Sequence, residues 1–116
     1  MLAGDADRYR TKMDALLVRL SGDLDLGVAD KLRITLDEHL NTKKIKYLIM
    51  NLSRVTFVDS SGLGVILGRY KKLTPFGGKV ILVGAQPQVK RILELSGLMQ
   101  IMESYLDEAN ALAKIV

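Results

Sequence analysis

The chain has 116 residues, 48% hydrophobic and 26% charged, a balance that suits one globular domain and leaves no room for two. It has no cysteine and no tryptophan, which excludes a disulfide scaffold, a thiolate metal site and a cysteine nucleophile, and makes the core aliphatic. The net charge of +4 is dispersed over short clusters at Lys43–Lys46, Arg69–Lys72 and Lys90–Arg91 with no stacking pattern of aromatics, so it reads as solvated helix ends and faces and not as a nucleic-acid surface.

The first residues, Met1–Asp7, lack a basic region followed by an apolar run and do not read as a signal peptide. No apolar stretch approaches the roughly 20 residues of a membrane span. The expectation is a cytoplasmic domain over residues 1–116 that does not touch a membrane.

Arg8–Thr11 reads as a short polar edge strand, and Lys12-Met13-Asp14 as the turn into Ala15–Leu20, a stronger strand ending at Ser21-Gly22. Their spacing predicts a hairpin. Gly22–Gly27 is a loop with two carboxylates, Asp23 and Asp25. Asp25 is placed to cap the next helix or to sit in its first turn. That helix is predicted over Val28–Asn41, where Val28, Leu32, Leu36 and Leu40 recur every four residues.

Lys46–Leu52 lacks clean alternation and reads as a central strand covered on at least one face. Ser53–Val58 reads as an extended linker. Ser60 or Ser61 then starts a helix that reaches about Leu73, with Leu63, Ile66, Leu67, Tyr70 and Leu73 as its apolar stripe. Gly64 and Gly68 fall on one face of it. Glycine there costs about 0.5–1 kcal/mol relative to alanine, so this face is expected to pack closely on the sheet or a neighbouring helix. Close approach of a partner is the other reading.

Pro75–Gly78 is a turn and Lys79–Val83 an apolar strand. Pro87 suits the first turn of a helix that carries Val89, Ile92 and Leu93 and ends near Ser96-Gly97. Met99–Ser104 reads as a short strand and Asp107–Ile115 as a last helix, with Leu106, Ala109, Leu112 and Ala113 at helical spacing. The order predicts an α/β fold: a mainly parallel sheet of four to five strands, an antiparallel N-terminal edge strand and about four helices. Nothing divides it into domains. Once the helices pack, no long apolar stripe is left exposed, and a monomer is expected.

No catalytic constellation assembles. A serine hydrolase of the α/β class wants Gly-x-Ser-x-Gly on its strand-to-helix elbow, and Val58 stands where the first glycine should be. The single histidine, His39, lies beside the apolar stripe of the first helix and reads as an ordinary helical histidine. Gly62, Gly64 and Gly68 miss the dinucleotide fingerprint by one position and lie inside a helix. Gly77-Gly78-Lys79-Val80 lacks the spacing of a phosphate-binding loop. No acidic-histidine cluster has metal-ligand spacing. The chain reads as a binding module, not an enzyme, with no metal or cofactor of its own. Two alternatives stand beside it: a module sensing a nucleotide or anion near the Ser60 loop, and a hydrolase using Ser60.

The stretch Val55–Gly64 holds the functional candidates. A serine at a helix start is first of all an N-cap. Here two serines are adjacent, so one can cap while the other faces solvent. A phosphate on Ser60 would meet the positive end of the helix and unpaired N–H groups and leave the helix intact. It would add about −1.5 to −2 charge to a surface that already holds Asp59, with Asp23 and Asp25 as further candidates. A partner fitted to the bare hydroxyl would be repelled.

The run from Phe57 to Lys71, Phe57-Val58-Asp59-Ser60-Ser61-Gly62-Leu63-Gly64 and onward, closely resembles the signature of bacterial anti-sigma-factor antagonists. These are the stand-alone members of the sulfate-transporter and anti-sigma-antagonist domain family, and the sporulation members are the nearest match. Arg19–Asp25, Val89-Lys90-Arg91 and Leu95–Leu98 agree, so the resemblance covers nearly the whole chain. The polar, histidine-containing segment that follows the acidic loop in the sporulation member is Leu26-Gly27-Val28 here.

The resemblance implies partner switching. The unphosphorylated antagonist binds an anti-sigma factor that is also a serine kinase, with ATP or ADP bound, and a sigma factor is released. The kinase phosphorylates the first serine of Asp-Ser-Ser-Gly, here Ser60, and the phosphoprotein lets go. A metal-dependent serine phosphatase resets it. On this resemblance the partner-binding set is Asp23, Asp25, Asp59, Ser60, Ser61, Gly62, Leu63 and Gly64. Asp59 and Ser61 shape the surroundings of Ser60, Gly62 and Gly64 allow close approach, and Asp23 and Asp25 offer carboxylates to basic groups. ATP belongs to the partner.

Overall fold

The computed structural model describes residues 7–10, 14–42 and 44–115. Thr11 and the turn residues Lys12 and Met13 lie outside them. Five strands form one sheet in the spatial order β1 (Asp7–Arg10), β2 (Ala15–Leu24), β3 (Tyr47–Val58), β4 (Lys79–Val83) and β5 (Glu103–Tyr105). The first pair is antiparallel, with Asp7 opposite Arg19, and the rest are parallel. The expected α/β architecture with its antiparallel N-terminal edge is therefore the one observed.

The helices are α1 (Leu26–Thr42), α2 (Ser60–Leu73), α3 (Pro87–Leu95), α4 (Leu98–Ile101) and α5 (Glu108–Ile115), with a 3-10 turn at Thr74–Phe76. Strand alternation sorts the core into two layers. Leu16, Val18, Leu20, Leu48, Met50, Leu52, Val80 and Leu82 face the side covered by α1 to α4, where they meet Leu32, Leu36, Ile66, Val89 and Leu93. Leu17, Ile49, Ile81 and Val83 face the other side and meet Ala111 of α5, with Leu112 and Ile115 packed against them. The central strand is thus covered on both faces, which is why its sequence does not alternate.

Three expectations are corrected. Ser53–Val58 is not a linker but the second half of β3, paired with β2 as far as Val58 opposite Leu24. The pairing shifts register between Arg19 and Ser21 and again between Gly22 and Asp23, and such irregularities scramble the two-residue period. Met99–Ser104 is not one strand. Gly97, at φ 84°, ends α3 and lets the chain enter α4, which buries Leu98. Met102, also buried, follows four residues on, at helical spacing, and only Glu103–Tyr105 pairs with the sheet. With the short α4 counted, the described residues hold five α-helices. Finally, Gly64 and Gly68 pack against nothing, because a Cβ added at either would have no neighbour within 4 Å.

α1 and α2 are tied by a buried ion pair that the sequence reading did not find. Arg69 is 7% exposed, and its Nε lies 3.1 Å from Asp37 Oδ1, too poorly aligned for a hydrogen bond. Lys72 Nζ approaches the same oxygen at 3.5 Å. Burial draws the Arg69 guanidinium below its ordinary value, and the Asp37 charge opposes that.

Candidate functional site

β2 and β3 run past the end of β4 as a two-stranded ribbon, and their tips deliver two loops side by side. Asp23, expected in a loop, lies instead near the end of β2, opposite Phe57, and Asp25 lies between β2 and α1. The β3–α2 turn carries Asp59, Ser60 and Ser61. Asp59 N–H donates to Leu24 O at 3.1 Å, joining the two turns through the backbone.

Asp59 is the N-cap of α2, with extended backbone at φ −98° and ψ −174°. Its Oδ1 accepts from the N–H of Ser61 at 2.8 Å and of Gly62 at 3.0 Å. Its Oδ2 accepts from the N–H of Leu26, the first residue of α1, at 3.1 Å. One carboxylate therefore serves the start of two helices. The expectation that a serine caps α2 is corrected: neither Ser60 nor Ser61 does so, and two of the N–H groups expected to be unpaired are already taken.

Ser60 is the first residue of α2 and is exposed, while Ser61 is half-buried. Asp25 performs its predicted capping role, Oδ1 accepting from Gly27 N–H at 3.0 Å. Asp23 is exposed, and its Oδ1 accepts from Thr56 Oγ1 at 2.6 Å. Gly62 is buried, and the group approaching it is the chain's own: a Cβ there would lie 2.3 Å from Leu24 O. Leu63 packs partly against the core, and Gly64 is exposed. The predicted residues thus gather at one end of the ribbon, some facing solvent and some beneath.

Two residues at this end escaped the sequence reading. Leu26 is 77% and Phe57 46% exposed. Leu26 stands off the Val28–Leu40 stripe by two residues, and that offset was the available signal. Phe57 lies between the buried Val55 and Val58 on the irregular part of β3. His39 Nδ1 donates to Thr35 O at 2.9 Å in its own helix, the arrangement of an ordinary helical histidine. No group of three or more His, Cys, Asp or Glu side chains is placed to hold a metal among the described residues. No described helix is long and apolar enough to cross a membrane.

The family model for the STAS domain matches residues 8–111. The chain belongs to the STAS domain family. Within that family it is 43% identical over 100 residues to an anti-sigma F factor antagonist of Paenibacillus polymyxa, covering 86% of each protein. The STAS fold superposes on the anti-sigma factor antagonist SpoIIAA in its unphosphorylated form with a TM-score of 0.84, at 27% identity and 96% coverage of both chains. It superposes on the phosphorylated form of the Bacillus protein with a TM-score of 0.77, at 26% identity, over 97% of this chain and 100% of that one. The resemblance read from the Phe57–Lys71 run is thereby confirmed at the level of family and fold.

Proposed function

We propose that this STAS protein is an anti-sigma-factor antagonist that binds an anti-sigma factor with serine kinase activity, and that phosphorylation of Ser60 ends the interaction. It acts in the cytoplasm and has no catalytic role of its own, ATP being supplied by the partner. A serine phosphatase returns it to the binding state. The observation that carries the reading is the division of labour at the start of α2. Asp59 takes the cap, so the Ser60 hydroxyl is exposed and bears no part of the fold. The names of the relatives point the same way, being antagonists of anti-sigma factors.

In this reading the partner meets Ser60, Ser61, Gly64, Asp23 and Asp25, with Asp59, Gly62 and Leu63 holding the loop from beneath. Leu26 and Phe57 add exposed apolar area at the same end of the ribbon. Phosphate brings about −1.5 to −2 charge next to Asp59 and would break the fit by repulsion and bulk. The test is intact mass and fragmentation after incubation with the cognate kinase and ATP. One phosphate on Ser60 is expected. Its absence, or its placement on Ser61, refutes the assignment. Ser60→Ala should keep binding and block modification. Ser60→Asp should weaken binding about tenfold or more while helix content is unchanged.

A further inference from the structure

Among the described residues, the back of the sheet is only partly covered. Parallel sheets are ordinarily buried on both faces. Here α5 lies over Leu17, Ile49, Ile81 and Val83, but it begins at Glu108, and the ribbon continues beyond it. There the floor changes from apolar to polar, to Arg19 and Ser21 on β2 and Asn51, Ser53 and Arg54 on β3. The Leu106–Ala109 segment walls one side. The resulting cleft holds about 690 Å³, within the range of small-ligand sites.

The cleft is kept open by Gly84. Its φ is +70°, and a Cβ there would sit 3.2 Å from Ser53 Cβ and 3.6 Å from Asn51 Oδ1. The polar groups are unequally committed. Glu108 accepts from Arg19 Nε and Nη2, each at 2.9 Å, and from Asn51 Nδ2 at 2.5 Å. Asn51 Oδ1 accepts from Ser53 N–H at 2.9 Å, and Asp107 Oδ1 from Asn110 N–H at 2.8 Å. Both Glu108 oxygens, Asn51 Oδ1 and one oxygen of Asp107 are thus engaged from within. Arg54 is different: it is exposed, lines the cleft and has no hydrogen-bond or ion-pair partner among the described residues. Leu106, which lines the same cleft, is 87% exposed.

We propose that this cleft binds a small organic anion, a phosphate or carboxylate carried on an apolar body, with Arg54 taking the anionic head and Leu106 covering the body. A guanidinium gives such a head a forked, charge-assisted pair of hydrogen bonds. The site is separate from Ser60 and stands whether or not Ser60 is phosphorylated.

Phenyl phosphate, benzoate and inorganic phosphate are titrated into the full chain and followed by backbone amide NMR shifts. Saturable shifts confined to residues 51–54, 84 and 106–109 are expected with at least one organic probe, and the tighter of the two assigns phosphate or carboxylate. Arg54→Ala should weaken that probe about tenfold or more. Leu106→Ser should weaken the organic probe and leave inorganic phosphate unaffected. Both side chains are exposed, so the spectrum outside the cleft reports that the fold persists. No saturable shift, an Arg54→Ala variant that binds equally well, shifts centred on Ser60 or Lys90-Arg91, or equal binding of inorganic and phenyl phosphate would each overturn the proposal.

Discussion

Gly62 and Gly64 are two residues apart in one helix, and alanine at each should move stability in opposite directions. At Gly62 an added Cβ falls 2.3 Å from Leu24 O, 2.9 Å from Leu24 Cβ and 3.0 Å from Val58 Cγ1. The nearest of these is a backbone atom and cannot swing aside, so α2 must retreat by about 1 Å to restore ordinary contact. Over-packing of this kind costs about 1–3 kcal/mol. Retreat also loosens the Asp59 cap, worth about 1 kcal/mol, while replacing a helical glycine returns about 1 kcal/mol. The net loss is about 2 kcal/mol, which in a domain of this size lowers Tm by about 8 °C. At Gly64 the added methyl meets nothing, so only the propensity gain remains, about 0.5–1 kcal/mol and a rise of about 2–4 °C. Thermal unfolding followed by far-ultraviolet circular dichroism, with urea midpoints as a second measure, reads both. A Gly62→Ala protein as stable as the parent would refute the close approach to Leu24. A destabilised Gly64→Ala protein would show that its face is packed after all.

Asp59→Ala removes three acceptor contacts at the head of α1 and α2 and should cost about 1–2 kcal/mol, with amide exchange quickening at Leu26, Ser61 and Gly62 together. Quickening at Ser61 and Gly62 alone would deny the bridge to α1. Asp37→Ala strands the buried Arg69 cation and should cost about 2–4 kcal/mol, whereas adding Arg69→Met should recover most of it. A double variant no more stable than the single would contradict this account. Glu108 is held below its ordinary pKa, first by its hydrogen bond to Arg19 and then by that to Asn51, against the opposing effect of burial. A depressed carboxyl stabilises the fold above its unfolded pKa, near 4.3, and that contribution is lost as pH falls through the folded value. The Tm of Glu108→Gln should therefore change less than that of the parent below about pH 4.5, and parallel curves would dismiss the pairing.

The fold was legible where periodicity is strong. The four-residue spacing of Leu32, Leu36 and Leu40 gave α1, the apolar runs gave β3 and β4, and their alternation with helices gave a parallel sheet. The place of Ser60 at the head of α2 was legible because a strand end, an Asp-Ser-Ser run and a helix start coincide. Other features depend on contacts that no local window contains. The cap came from Asp59 because its carboxylate reaches Leu26, 33 residues away, as well as its own helix. The second half of β3 was hidden by irregular pairing with β2, and Ser53, Arg54 and Thr56 look like loop residues because that stretch of sheet is open to water. The Arg19–Glu108 pair spans 89 residues and Asn51–Glu108 spans 57, so the cleft they line has no signature in the sequence.

The atoms that fasten the Ser60 loop to the body of the protein are mostly main-chain atoms: Leu24 O, and the N–H groups of Leu26, Ser61 and Gly62. Among the described residues, the side-chain requirements of that fastening are Asp59 and the bare Cα of Gly62. Leu26, Phe57, Ser61 and Gly64 can therefore be exchanged without disturbing where the serine sits. Under the function proposed above, a duplicated copy of such a protein could change the surface around Ser60 one residue at a time while the serine stays in place, so that two copies in one cell would come to serve different kinases without cross-talk.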